Sequence, residues 1–244
     1  MITKLQPIRS DLWRRVETAV AILAEGVSLR AEVEYRMGIS GGSATRLFRT
    51  LERENFVTLR SIPLVGRWEY MLAELTEGGK ILAEHVLGCG VRPSEWQLLT
   101  EKHNAEEHQR HAFAILLFAY HARRRGWKAE VCPQVDNPLT APDALVEKDG
   151  ERVYVEVEVL RHPKRRKDGA DNTWVRKWRN QYLFQNLVAV CTLTPKRREG
   201  IVAYLKPRWR GAAADILTLA KNPDCGLWVE RWEWPNEFSM RGYV

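Results

Sequence analysis

The sequence predicts a mixed α+β protein in two parts: a helical N-terminal domain closed by a hairpin (residues 1–90) and a C-terminal α/β domain with a central mixed sheet (residues 91–244). Three observations predict it. Apolar residues recur at helical spacing in successive segments and then give way to two short β-like runs. Gly88, Gly90 and Pro93 interrupt that periodicity, as a linker does. Beyond them, apolar runs of strand length alternate with helix-length stretches, the pattern of an α/β sheet.

Ser10 and Asp11 can cap a first helix carrying Leu12, Val16, Val20, Ile22 and Leu23 and ending near Gly26. Ser28 can cap a second helix to about Arg36, and Met37-Gly38-Ile39 reads as a tight turn. Ser40 or Ser43 can cap a third helix to about Asn55. Phe56 to Arg60 and Trp68 to Leu72 read as strands joined by a loop holding Pro63 and Gly66, followed by a helix from Lys80 to Leu87. In the second part, Asn104 to Arg125 reads as one long helix, buried because Ala112 to Ala119 is apolar all round. Val131, Ala144 to Val146 and Val153 to Leu160 read as strands, Asn172 to Asn186 as a helix and Leu187 to Leu193 as a strand. Arg197 to Lys206 reads as helix or strand, Ala212 to Lys221 as helix, and Leu227 to Trp232 as a last strand.

A chain of 244 residues with 45% hydrophobic and 28% charged residues has ordinary globular composition. The net charge of +7 favours an anionic partner, and nucleic acid over a membrane because no long charge-free apolar run exists. Met1 to Asp11 has no signal-peptide core, so a cytoplasmic protein is expected. Cys89, Cys132, Cys191 and Cys225 are widely spaced and read as reduced thiols, not as a disulfide frame or zinc site.

Helix, turn, helix and hairpin in that order suit double-stranded DNA as a partner, the third helix entering the major groove. Its polar face would present Ser43, Thr45, Arg46 and Arg49, with Arg53 beyond and Leu47 and Leu51 turned to the core. Arg60 and Arg67 flank the hairpin loop within reach of phosphate or minor groove. The stretch from Leu12 to Leu87 resembles the winged helix of MarR-like regulators, through Gly38-Ile39-Ser40, Leu51 to Val57 and Leu75-Thr76-Glu77-Gly78-Gly79. The alternative is a winged helix used for protein contact.

The second part carries an acidic hairpin. Asp149-Gly150 between alternating apolar runs is a two-residue turn signal. That turn pairs Lys148 with Glu151, Glu147 with Arg152 and Asp143 with Glu156, putting Asp143, Glu156 and Glu158 on one face and Ala144, Val146, Val153, Val155 and Val157 on the other. Opposed Cβ atoms lie about 5 Å apart, so the carboxylates repel unless a cation sits among them. Oxygens so grouped suit Mg²⁺ or Mn²⁺, which can activate water against a phosphodiester. The alternative is an exposed acidic face balanced by nearby Lys and Arg. If the crowded carboxylates hold the metal, Asp143→Ala should abolish cleavage while leaving stability unchanged or raised, by relieving their repulsion.

Pro142-Asp143 followed by Glu156-Val157-Glu158 resembles the PD-(D/E)XK nucleases, with Glu158 where Lys is usual. Some members recruit Lys or Gln from the next helix, where Lys177 and Gln181 stand. Together with Arg110-His111, Tyr182 and the run Val190 to Arg197, the layout resembles the replication-relaxation family of plasmid and mobile-element proteins, which join a winged helix to a nuclease-like domain. The resemblance implies a restriction-endonuclease-like domain acting as a Mg²⁺-dependent endodeoxyribonuclease. Asp143 and Glu156 would bind metal, and Glu158 and Lys177 would position water and charge. It also implies plasmid or mobile-element DNA metabolism, with a homodimer or other mobile-element proteins as partners. The alternative is a non-catalytic regulator of transcription or plasmid replication with a degenerate nuclease fold. A His108, His111 and Glu107 metal set is disfavoured because the zincin order is missing. The basic runs Lys164 to Lys167 and Lys196 to Arg198 are solvated or hold DNA backbone, and Trp228, Trp232 and Trp234 pack a C-terminal edge.

Overall fold

The computed structural model describes residues 10–65, 68–104, 108–136, 141–159 and 173–233, and is mixed α+β with a six-stranded central mixed sheet. It forms two compact units, Met1–Glu101 and Lys102–Val244.

The first unit contains α1 (Ser10–Ala24), α2 (Arg30–Arg36), α3 (Gly41–Arg53), β1 (Val57–Val65), β2 (Trp68–Leu75) and α4 (Glu77–Ile81), which runs into a π turn over Leu82–Val86. Val16, Val20 and Leu23 of α1 meet Leu47, Phe48 and Leu51 of α3 in one core with Val57, Ala73 and Leu82. Burial of each such side chain contributes about 1.5–3 kcal/mol. Antiparallel β1 and β2 are longer than periodicity predicts. Pro63 lies inside β1, beside a register shift that accommodates its missing N–H. Thr76 caps α4 by accepting from the Gly79 N–H, and any Cβ on Gly79 would strike the Phe56 carbonyl. That close approach explains the Thr-Glu-Gly-Gly run.

Ser28 does not cap α2, whose N-cap is Leu29. Instead the buried Ser28 accepts the Trp96 N–H on Oγ at 2.9 Å and the Ala73 N–H on its carbonyl. The Arg92 N–H reaches the Ala24 carbonyl, and the Glu95 N–H reaches the Gly26 carbonyl. Gly26 has φ +102° and no room for a Cβ against the Pro93 carbonyl. These bonds tie residues 92–96 into the first unit, and the division falls at 101/102, where periodicity suggested 90/91.

A helix that periodicity does not mark, α5 (Glu95–His103), spans residues 101 and 102. The second unit continues with α6 (Gln109–Arg123), β3 (Lys128–Val131), β4 (Ala144–Lys148), β5 (Glu151–Glu158), α7 (Thr173–Gln185) and β6 (Val188–Thr192). It ends with α8 (Pro195–Leu205), β7 (Gly211–Asp215), α9 (Ile216–Lys221) and β8 (Glu230–Trp232). The expected helix from Asn104 therefore starts at Gln109. The expected helix from Ala212 is a strand up to Asp215: alanine favours helix locally, but this run is buried throughout between β6 and β8, with Trp232 lying on Gly211.

The strands lie in sequence order, β3 to β8, with β5, β6 and β7 parallel and the outer pairs antiparallel. Trp178 of α7 and Ile201, Val202 and Leu205 of α8 pack on Val188, Val190 and Ala213. The buried α6 covers β3, β4 and β5, with α9 beside it. Pairing of β5 with β6 begins only at Glu156. Ahead of it, amides from α7 replace the ladder: Gln185 Oε1 accepts the Tyr154 N–H, and Gln181 Nε2 donates to the Tyr154 and Ala189 carbonyls. Trp228 packs on Phe118 and Trp127, and Trp232 donates to the Trp209 carbonyl, while Trp234 lies outside the described residues. All four cysteines are free thiols, and among the described residues no helix is long and apolar enough to cross a membrane.

Candidate active site

The turn between β4 and β5 has φ +50° at Asp149 and +81° at Gly150, the two left-handed residues of a tight hairpin. It sets Lys148 against Glu151, Glu147 against Arg152 and Ala144 against Val155. Asp143 thus stands beside Glu156: its N–H donates to the Val155 carbonyl, and its Oδ2 accepts the Val157 N–H at 2.7 Å. The parallel register of β5 on β6 matches Glu156 with Val190, on the face that α7 covers. From α7, Lys177 forms an ion pair with Glu156 and approaches Asp143 Oδ2 to 3.7 Å. Three elements therefore deliver Asp143, Glu156 and Lys177 to one point.

The alternative of an exposed acidic face does not hold. Asp143, Glu156 and Glu158 are all buried, and the cation that offsets their repulsion is the Lys177 ammonium. Gln181, one turn further along α7, spends its amide on backbone and does not reach the carboxylates by hydrogen bond.

Two histidines complete the cluster. His111, in the first turn of α6, places Nε2 3.0 Å from the Val157 carbonyl and 3.3 Å from Asp143 Oδ2. His103, the last residue of α5, places Nδ1 3.8 Å from Asp143 Oδ1, and the two imidazoles meet edge to face at 5.6 Å. The sequence paired His111 with His108 instead. His108 is exposed at the N-cap of α6, and Glu107 lies outside the described residues. No periodic signal connects His103 to His111, because α5 ends at His103 and Asn104 takes φ +47°.

Burial pushes the Asp143 carboxyl up, but the Lys177 charge, His111 and the Val157 N–H outweigh it and hold Asp143 well below the usual carboxylate range. Burial and then the Asp143 charge push Glu156 well up, against Lys177. Burial raises Glu158 to about 7. Lys177 loses hydration, yet Asp143, Glu156 and Glu158 hold its pKa above the ordinary range. Burial lowers His103 against the pull of Asp143, whereas Asp143 overcomes burial at His111 and raises it. The cluster thus combines a firmly ionised aspartate, a permanent cation and a carboxyl that titrates near neutrality.

Asp143 Oδ1 is buried and meets no hydrogen-bond donor among the described residues. A carboxylate oxygen in that condition suits a divalent cation, which needs no donor hydrogen. The site opens to solvent along Lys177, His111 and His103, whose side chains are 36%, 28% and 20% exposed.

On α3, Ser43, Arg46 and Arg49 are exposed, and neither of these arginines makes an ion pair with a described residue. Ser43 Oγ accepts from Arg15, and the half-buried Thr45 donates to the Gly41 carbonyl. Arg60 lies over the Trp96 ring at 4.8 Å, so one face of its guanidinium is occupied. Arg67 and the basic run Lys164 to Lys167 lie outside the described residues. Of the second basic run, Lys196 is exposed, while Arg197 donates to the Val159 carbonyl and Arg198 pairs with the buried Asp215. No family model, no curated protein and no solved structure matches the chain.

Proposed function

We propose that the chain is a metal-dependent endodeoxyribonuclease of the PD-(D/E)XK type, directed to double-stranded plasmid or mobile-element DNA by a winged helix. The observation that carries it is the convergence of Asp143, Glu156 and Lys177 in a buried cluster with an uncommitted carboxylate oxygen. Three helices followed by an antiparallel strand pair fit a winged helix, with α3 as the recognition helix. Asp143 and Glu156 would hold Mg²⁺ or Mn²⁺. The bound ion supplies charge neutralisation at the phosphate and a nucleophilic water at neutral pH. Lys177 places a fixed positive charge where the phosphoryl oxygens gain negative charge, without reorganisation during the reaction. Glu158, with a pKa of about 7, can take or return a proton at neutral pH, the condition for general acid–base work.

A second reading, a non-catalytic regulator of transcription or plasmid replication, draws on two observations. Lys177 already pairs with Glu156, so the cluster is compensated without metal, and Glu158 occupies the usual lysine position. Incubation with supercoiled plasmid separates the two: nicked circles that require a divalent ion support the nuclease, and intact plasmid supports the regulator.

A further inference from the structure

We propose that His103, His111 and Asp143 form a transition-metal site that makes the cluster select Mn²⁺, Co²⁺ or Zn²⁺ over Mg²⁺. The inference rests on the reading of Asp143 as a metal ligand and specifies the class of ion. One ligand atom from each of the three residues lies within 4.8 Å of the others. Ligands bound about 2.0–2.1 Å from a common ion stand roughly 3–4 Å apart. His103 Nδ1 is 3.8 Å from Asp143 Oδ1, and His111 Nε2 is 3.3 Å from Asp143 Oδ2, so small side-chain rotations close the set.

The two oxygens of Asp143 are used differently. Oδ2 accepts the Val157 N–H and faces His111 and Lys177. Oδ1 is buried, lacks a donor among the described residues and faces His103. A buried carboxylate oxygen in this state is unfavourable unless a proton or a metal meets it. Glu156 is engaged by Lys177, so the buried carboxylate oxygens of the cluster with neither a hydrogen bond nor a Lys or Arg ion pair among the described residues are Asp143 Oδ1, which faces His103, and Glu158 Oε1. His111 Nε2 lies 3.0 Å from the Val157 carbonyl, so metal binding through it replaces an N–H donated to that carbonyl and releases a proton. Two nitrogens and one carboxylate oxygen suit Mn²⁺, Co²⁺ or Zn²⁺, whereas Mg²⁺ takes oxygen ligands and sheds water reluctantly. Three protein ligands beside a solvent-facing edge leave further coordination positions for water or a phosphate oxygen.

The test is a Co²⁺ titration of the metal-free full-length protein, read by visible d–d absorption. The expected result is stoichiometric binding with the intense bands of a low-coordinate nitrogen–oxygen site, displaced by Zn²⁺ and not by a large excess of Mg²⁺. His103→Ala and His111→Ala should each weaken Co²⁺ by at least about tenfold, with His103→Asn and His111→Asn as size-conserving controls and circular dichroism reporting the fold. A weak, purely octahedral spectrum in the wild type, which needs no variant to fold, overturns the site. So does unchanged affinity in folded histidine variants. If plasmid is nicked with Mg²⁺ while Co²⁺ binding ignores the histidines, this inference fails and the nuclease stands. If Co²⁺ binds through the histidines but no ion supports nicking, the site stands and the nuclease fails.

Discussion

Asp143 carries more of the second unit than its sequence pattern implies. Acidic crowding alone would make Asp143→Ala neutral or stabilising, yet its Oδ2 accepts the buried Val157 N–H and faces Lys177 and His111. Removing it leaves that N–H without an acceptor, at a cost of about 1–3 kcal/mol. Urea unfolding in metal-free buffer should therefore show Asp143→Ala less stable than wild type, and equal or greater stability would mean that carboxylate repulsion dominates. His121 is a second buried ionisable group, on α6, with no hydrogen-bond partner on either ring nitrogen among the described residues. Burial, then Arg125 and Arg124, lower its pKa from 6.5 to about 3. Above pH 6.5 it is neutral in both folded and unfolded chains and contributes no pH dependence. As the pH falls below 6.5 only the unfolded chain takes up the proton, so stability declines until the folded pKa is reached. Between pH 6.5 and 5 the loss is at most about 2 kcal/mol. Replacing His121 by Leu should flatten the stability profile over that range, and a profile of unchanged slope would contradict it.

The β4–β5 hairpin was legible because two local signals coincide. Asp-Gly fixes the turn, and the valine alternation fixes which residues face the helices, so the register follows from a dozen neighbouring residues. Gly150→Val places a β-branched residue at φ +81° and should cost about 1–2 kcal/mol or more by thermal unfolding, while Asp149→Asn stays near wild type. Equal melting temperatures would show that the turn relaxes without strain. Other elements were illegible for physical reasons. The run after Gly211 reads as helix by propensity, and only burial between two strands makes it a strand. His103 ends a short helix that periodicity does not mark, with Asn104 at φ +47° directly after it. If Arg46 and Arg49 of α3 meet phosphate, replacing both with Ala should weaken DNA binding and reduce the slope of log K against log salt by about two. Unaltered affinity in a mobility-shift titration would move α3 to protein contact.

At the scale of the whole molecule, α+β class and a mixed sheet could be read from the alternation of apolar runs, because burial on both faces of β6 and β7 leaves near-continuous apolar stretches. The point of division between the units was less readable. Gly88 to Pro93 looks like a linker in composition, whereas backbone bonds from Arg92 and Glu95 back to Ala24 and Gly26 are invisible to periodicity. Of the site, the carboxylates were grouped by the hairpin register, and Lys177 was named through resemblance to a nuclease motif. Their burial, and the role of Lys177 as their counter-charge, depend on how α7 lies over β5 and β6. The proposed nuclease activity requires this cluster to hydrolyse DNA with a divalent ion. Its most direct measurement is the conversion of supercoiled plasmid to nicked and linear forms by wild type and Asp143→Asn, each with Mg²⁺, with Mn²⁺ and with chelator. Cleavage by wild type with either ion, none with chelator and none by a folded Asp143→Asn variant is the predicted result. Intact plasmid with both ions, under conditions where a mobility shift shows the DNA bound, would contradict it.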